Sequence, residues 1–315
     1  MHVIEARNVE EALPIGLRYL LQFGDKESSR NGMVLVAPGP VATVYRYPEE
    51  RVLLWPERDC NPFFHLMEAL WMLAGRRDVE FPAYFAGQIK EYSDDGAALN
   101  GAYGFRWRYH FGMDQIRGVV ELLKKDMGSR RAVIQMYDPI HDSDGGKDVP
   151  CNTVIYFRVN RYLLDMTVSC RSNDVVWGAY GANAVHFSIL QEFIADQLGI
   201  PVGTYTQISN NFHIYERHWD LMDARPPRPD SYPPSYLLGF GGDYDSVIKE
   251  ITSFVVEPSN YESKLPFLHD VARPMFKAWE ARKNKVGDGL KELATAPLCD
   301  WTIAATQWID RRNKA

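Results

Sequence analysis

The stretch CNPFFHLMEALWMLAGRR, residues 60–77, reads as a helix whose interior is almost wholly apolar, and such a helix is stable only inside a large core. Asn61 can cap it, Pro62 suits its first turn and Gly75 suits its end. Glu68 stands out on it: a carboxylate among Phe64, Met67, Leu70, Trp71 and Met72 either pairs with something or holds its proton unusually well. A chain of 315 residues, 46% hydrophobic and 13% aromatic, can bury such a segment as one large domain or a domain with an appendage. A second strong helix, NAVHFSILQEFIADQLG, runs from Asn183 as a cap to Gly199 as its stop.

Around these two helices the pattern is mixed. The first 25 residues have helical spacing at Ala12, Ile15, Leu17, Tyr19 and Leu20, followed by a polar, turn-rich loop, GDKESSRNG. MVLVA and VATVYRY read as strands. DQIRGVVELLKKDM, opened by Asp114 and followed by Gly128, reads as a surface helix. RRAVIQMYDP is a strand candidate and IHDSDGGKDVP a loop; its acidic residues fall short of a full calcium-ligand set, and no metal is expected. TVIYFRVN and YLLDMTVSC face each other across Asn160 and Arg161 as a hairpin, with Leu164, Met166, Val168 and Cys170 on one face and Asp165, Thr167, Ser169 and Arg171 on the other. VGTYTQIS and NNFHIYERHW bring further strand. After the proline-rich ARPPRPDSYPP, the chain from about residue 245 reads as mainly helical, chiefly in VARPMFKAWEARKNK and WTIAATQWIDRR. No internal repeat is visible.

The net charge of −6 argues against broad nucleic-acid binding, and no apolar run approaches the roughly 20 residues that span a bilayer. A cytoplasmic protein is expected. Its four cysteines, Cys60, Cys151, Cys170 and Cys299, are too few and too scattered for a disulfide framework or a CxxC metal site.

Cys151 follows a proline at the open end of the hairpin. A thiol becomes a nucleophile where cations favour its thiolate, and Arg171, one strand away, can both depress its pKa and grip an anion. Arg30, Arg130 and Arg131 could join it around one phosphate, the bland alternative being ordinary surface pairing with carboxylates. A cysteine hydrolase with Cys151 and either His213 or His186 is a competing arrangement, but no peptidase signature accompanies it.

Taken in order across residues 28 to 230, these residues resemble the thymidylate synthase family. The family's Pro-Cys-His box is similar to PCN at Cys151, with Asn152 in place of the histidine; its Arg-Ser-x-Asp-Val…Gly box is matched by RSNDVVWG through Arg171, Ser172, Asp174 and Gly178. HELLW is echoed by MEALW at Glu68, VYGxQWR by AYGFRWR at Tyr103, THLY by FHIY at His213 and Tyr215, and SRR by Ser129, Arg130 and Arg131. The resemblance implies an α/β (α+β) fold with a large twisted mixed or antiparallel sheet flanked by helices, a catalytic domain over residues 1–240 and a helical extension over 241–315.

It also implies a chemistry. Cys151 would add to C6 of a pyrimidine nucleotide, so that C5 captures the one-carbon unit of 5,10-methylenetetrahydrofolate, with no metal. Arg30 and Arg171, with Arg130 and Arg131 donated across a homodimer, would hold the 5'-phosphate; Ser172 fits a deoxynucleotide site, and His213 and Tyr215 would bond the sugar hydroxyl. Glu68 would move protons, Tyr103 would lie by the thiol, and Asp174 and Gly178 would meet the folate.

Three departures shape the expectation. Family synthases carry a tryptophan that packs on the folate and assists hydride transfer, and GQIKEYSDDG places Ile89 there; water would then reach the methylene intermediate, as in relatives, best known from bacteriophages, that make hydroxymethyl nucleotides. A phage enzyme of this kind would work in the host cytoplasm. The base-reading asparagine aligns with Asn183 across a segment one residue longer, favouring dUMP while His186 close by leaves dCMP open. The family's short apolar C-terminal tail is replaced by WTIAATQWIDRRNKA. Hydroxymethylation of dUMP or dCMP is the favoured expectation, and reductive methylation of dUMP the alternative; a nucleotide-binding relative without catalysis is the remote one.

Overall fold

The computed structural model describes residues 1–143, 145–224 and 232–314; most of the proline-rich segment lies outside the described residues. Two sheets form the frame. The larger has six strands, β1 (His2–Ala6), β4 (Val41–Tyr45), β5 (Val133–Gln135), β6 (Asn152–Asn160), β7 (Leu163–Cys170) and β9 (Val202–Ser209), in the order β1-β4-β9-β7-β6-β5. The pairs β1·β4 and β7·β9 are parallel and the other three antiparallel, so the sheet is mixed, as expected. The smaller has β2 (Asp25–Ser29), β3 (Gly32–Val36), β8 (Asn173–Asp174) and β10 (Phe212–Tyr215), in the order β2-β3-β10-β8.

The chain passes from the large sheet to the small one three times, from β1 through a helix into β2, from β7 into β8 and from β9 into β10, with the last two crossings running side by side. Asn210 N donates to Cys170 O at 2.8 Å and Asn173 N donates to Asn211 O at 2.8 Å, which keeps backbone groups at the junction satisfied.

Of the longer helices, α1 (Val9–Phe23) lies by β1, and α2 (Pro62–Leu73), α3 (Gln115–Lys125) and α4 (Asn183–Leu198) follow. Every residue of α2 is buried, including His65 and Glu68, as its all-round apolar pattern requires. The Asn61 side chain accepts from Phe64 N, and Gly75 follows the helix in the left-handed region at φ +71°. α4 packs along α2, and the AYGFRWR segment presses on its end so closely that a Cβ on Gly104 would lie 1.9 Å from the Met72 carbonyl oxygen.

Beyond residue 240 come α5 (Tyr244–Val256), α6 (Arg273–Lys283) and α7 (Asp300–Lys314), which close over the remaining side of α2. Trp279 and Trp308 meet Phe63 at ring-centroid distances of 5.5 Å each, an aromatic cluster that ties the C-terminal helices to the central one.

Three local expectations are corrected. Residues 2–6, read as part of a helix, form β1, because parallel pairing with β4 outweighs local pattern. GDKESSRNG is not only a loop: Asp25–Ser29 is an edge strand antiparallel to β3, polar because it is almost wholly exposed. The hairpin turns at Arg161 and Tyr162, with φ of 49° and 68°, rather than at Asn160 and Arg161; two left-handed residues match the twist of the flanking strands.

Candidate active site

A cavity of about 1230 Å³ opens where the two sheets, α2 and α4 converge. Cys151 and Arg171 reach it from the ends of β6 and β7, Arg30 from the β2–β3 turn, and Asp174, His213 and Tyr215 from the small sheet. Glu68 enters from α2, Asn183 from the start of α4, Ile89 from the turn Gly87–Tyr92, and Tyr103, Ser172 and Gly178 complete the set. Pockets for a single drug-sized ligand measure some 300–1,000 Å³, so this cavity has room for more than one ligand.

Arg130 and Arg131 are the expected site residues that this cavity does not contain. They are exposed at the entrance to β5, in the strand order the outermost strand of the large sheet. Among the described residues no carboxylate pairs with them, nor with Arg30 or Arg171.

The thiol is held by its neighbours' backbones. Arg171 N donates to Cys151 O at 2.8 Å, while the Arg171 guanidinium donates to Pro150 O and Val149 O, each at 2.9 Å, and so lies along the segment that delivers the cysteine. The Tyr103 hydroxyl accepts from Cys151 N at 3.1 Å and from Asn152 N and Nδ2 at 3.0 Å each. One expectation is reversed here. Burial pushes the Cys151 thiol above its ordinary pKa; Arg171 and Arg30 pull it back, Asp148 pushes it up again, and burial prevails.

Asn183 does not cap α4. Its backbone is already helical, and its side chain belongs to a buried run of amides: Asn152 Nδ2 donates to Asn183 Oδ1 at 3.0 Å, Asn183 Nδ2 to Asn173 Oδ1 at 3.1 Å, and Asn173 Nδ2 to Ser209 Oγ at 2.8 Å. Gly178 makes the room, since a Cβ there would fall 2.5 Å from Asn173 Oδ1 and 3.2 Å from Asn183 Nδ2.

Asp174 accepts from Val176 N at 3.0 Å and Trp177 N at 3.4 Å, capping the turn Val175–Ala182 that leads into α4. His213 is paired through Nδ1 with Asn211 Oδ1 at 2.7 Å; burial lowers its pKa although Asp174 opposes this, so it is neutral near pH 7. Glu68 lies 3.1 Å from His186 Nε2, a close approach without the alignment of a hydrogen bond.

Reasoning from residues alone missed Arg58 and Arg217. Arg58 lines the cavity and donates to Val176 O at 3.1 Å and 2.6 Å; Arg217 lines it with its guanidinium 4.2 Å from the centre of the Tyr215 ring. Arg217 follows Tyr215 by two residues, the one signal that could have found it. Nothing local marks Arg58.

The acidic loop before Cys151 is taken up by protein contacts: Asp142 pairs with the buried Arg106, and Asp148 accepts from Gly101 N at 2.7 Å. Outside the cavity, His110 and His141 both approach Asp138 Oδ2 at 2.7 Å, the one trio among the described residues close enough to share an ion.

The sequence that builds this cavity has counterparts among known proteins. A sequence model of the thymidylate synthase family matches residues 17–272. The chain belongs to the thymidylate synthase family. Its fold is the thymidylate synthase fold, and it is an enzyme of the one-carbon transferase type. Among its relatives is a protein of Pseudomonas phage M6 named deoxyuridylate hydroxymethyltransferase, 45% identical over 100% of this chain and 95% of the relative. Proteins of the same name in Bacillus phage SP01 and Delftia phage PhiW-14 are 38% identical over 56% of this chain and 49% of the relative, and 32% identical over 70% and 64%. Thymidylate synthase family enzymes bind a nucleotide and use methylenetetrahydrofolate, and the cavity has room for that pair. Among the described residues no helix is long and apolar enough to cross a membrane.

Proposed function

We propose that this enzyme transfers the one-carbon unit of methylenetetrahydrofolate to C5 of dUMP and releases 5-hydroxymethyl-dUMP and tetrahydrofolate. One observation carries the reading: Asn183, one hydrogen bond from the residue that follows Cys151, has one N–H engaged by Asn173 and one lone pair engaged by Asn152. What it keeps in reserve, one N–H and one lone pair, is complementary to the O4 and N3–H of uracil. A uracil read by Asn183 would present C6 towards the Cys151 thiol.

In this reading Cys151 adds to C6, and C5 becomes the carbon nucleophile; without that bond neither ring carbon reacts. Arg30 and Arg171 hold the phosphate, and Arg130 and Arg131 reach the partner subunit's phosphate across a homodimer, consistent with their exposed and unpaired state. Ser172 shares that anion site, and His213 and Tyr215 bond the 3'-hydroxyl. Tyr103 fixes the thiol's backbone, Glu68 moves protons at C5, and Asp174 and Gly178 shape the folate side. Methylenetetrahydrofolate supplies a carbon at the oxidation level of formaldehyde, so a hydroxymethyl product requires no reductant. Residues 241–315 serve as an extension that buttresses α2 from behind.

Ile89 supports the hydroxymethyl outcome: it lines the cavity as an aliphatic side chain that cannot stack as an indole does. The name of the full-length phage relative points the same way. Reductive methylation to dTMP is the second reading, favoured by Trp177, whose ring also lines the cavity and packs against Phe64 at 5.5 Å.

Incubating the protein with methylenetetrahydrofolate and either dUMP or dCMP, then identifying nucleotide and folate products together by mass spectrometry, tests the proposal. Hydroxymethyl-dUMP with tetrahydrofolate is expected. Methylated nucleotide with dihydrofolate would select the second reading, and consumption of dCMP in preference to dUMP would overturn the role of Asn183. Cys151→Ser should bind dUMP and yield no product; turnover by that variant would sink the covalent mechanism.

A further inference from the structure

His186 is nine-tenths buried and more, it lines the cavity, and its Nε2 has no hydrogen-bond partner in the protein. Buried imidazoles ordinarily have a partner, because leaving one orphaned costs about 1–3 kcal/mol. A histidine that merely filled the core would not face a cavity in this state. Its surroundings are specific. Asn183 precedes it by three residues, so both lie on one face of α4. Glu68 stands 3.1 Å from Nε2, and the His65 ring is edge-on at 6.3 Å.

The chemistry of a pyrimidine fixes what would lie there. With N3 and O4 at Asn183 and C6 at Cys151, C5 falls between them, and its substituent projects along the wall formed by the next turn of α4 and by Glu68. We infer that His186 is the catalytic base for the water that makes the hydroxymethyl group, with Glu68 as its electrostatic partner; this rests on the hydroxymethylation reading above.

The step balances without any redox partner. Water oxygen forms a bond to the exocyclic methylene carbon of the Cys151-bound nucleotide, the C=C electron pair moves onto O4 as an enolate, and the water proton passes to His186 Nε2. The enolate then collapses, restoring C5=C6 and expelling the Cys151 thiolate, which recovers the proton from the imidazolium. Glu68, 3.1 Å from Nε2, stabilises that imidazolium as it forms. A thiol that burial keeps protonated suits the role of proton acceptor at the end.

The two halves of the reaction can be timed independently. Loss of tritium from [5-³H]dUMP reports thiol addition and one-carbon transfer, and hydroxymethyl-dUMP reports water addition. In a single turnover, His186→Gln and His186→Ala should release tritium within about threefold of the wild-type rate and form hydroxymethyl-dUMP at least about a hundredfold more slowly, the usual range for removing a general base. Added 2-mercaptoethanol, a nucleophile that does not need the base, should divert the stalled adduct to a thioether nucleotide in the variants. Retained covalent capture of 5-fluoro-dUMP shows that the variants are folded. Tritium release and product falling together, or product formation untouched, would overturn the assignment. Wild-type protein that yields dTMP and dihydrofolate would overturn the hydroxymethylation reading itself, an outcome visible before any variant is made.

Discussion

Asn152 donates through Nδ2 to Asn183 Oδ1 at 3.0 Å, so the side chain that follows Cys151 sets the amide proposed to read the base. A substitution at Asn183 therefore acts on substrate choice. Asp at this position is isosteric and accepts only; it meets Asn173 Oδ1 with a lone pair and matches the donor amine of cytosine better than uracil O4. Asn183→Asp should lower kcat/KM for dUMP by about one to two orders of magnitude, the worth of one lost hydrogen bond in a dry site, and raise the dCMP-to-dUMP ratio. Steady-state kinetics on both nucleotides checks this, and an unchanged ratio would count against the base-reading role.

Arg130 and Arg131 lie outside their own chain's cavity, and the proposed dimer gives them a phosphate in the partner's. Cys151→Ser and the double variant Arg130→Ala/Arg131→Ala should each be nearly inactive. Mixed and allowed to exchange subunits, they should regain activity, because one site of the hybrid keeps an intact thiol and receives intact arginines. No recovery while hybrids are seen by native mass spectrometry would exclude sharing across the interface.

Gly104 leaves no space for a side chain against the Met72 carbonyl, a backbone atom that cannot move without shifting α2. Gly104→Ala should destabilise the protein by about 1–3 kcal/mol, in the range of overpacked core sites. Urea unfolding measures it; a loss below about 1 kcal/mol would mean that the AYGFRWR segment can slide.

Glu10 accepts from Leu54 N and from Trp55 N at 3.1 Å, and burial outweighs both bonds, raising its pKa from 4.5 to about 7. The folded protein therefore holds a proton that the unfolded chain has released between about pH 4.5 and 7, and its stability falls as pH rises through that window. Glu10→Gln, which keeps the acceptor and loses the charge, should be more stable than wild type at pH 8 relative to pH 5 by on the order of 1 kcal/mol. Urea midpoints at the two pH values decide it, and equal differences would refute the shift.

Much of the frame was legible before any coordinates. The α2 helix with its Asn61 cap and the β6–β7 hairpin with Leu164, Met166, Val168 and Cys170 inward follow from residue type and spacing, and the boxes around Cys151, Glu68 and Arg171 from the family resemblance. The exposed edge strand Asp25–Ser29 did not, since only an apolar face makes a strand alternate.

What the sequence by itself determined is the inventory and its local placement: which side chains stand at helix starts, strand ends and turns, because caps, periodicity and turn residues act over a few positions. Tertiary structure decided the states of those side chains. It joined Asn152, Asn183 and Asn173 into one network, set His186 against Glu68, brought Arg58 and Arg217 into the cavity and kept Arg130 and Arg131 out of it. It also reversed the expectation for Cys151, because the desolvation of a thiol depends on everything packed around it and not on Arg171 alone.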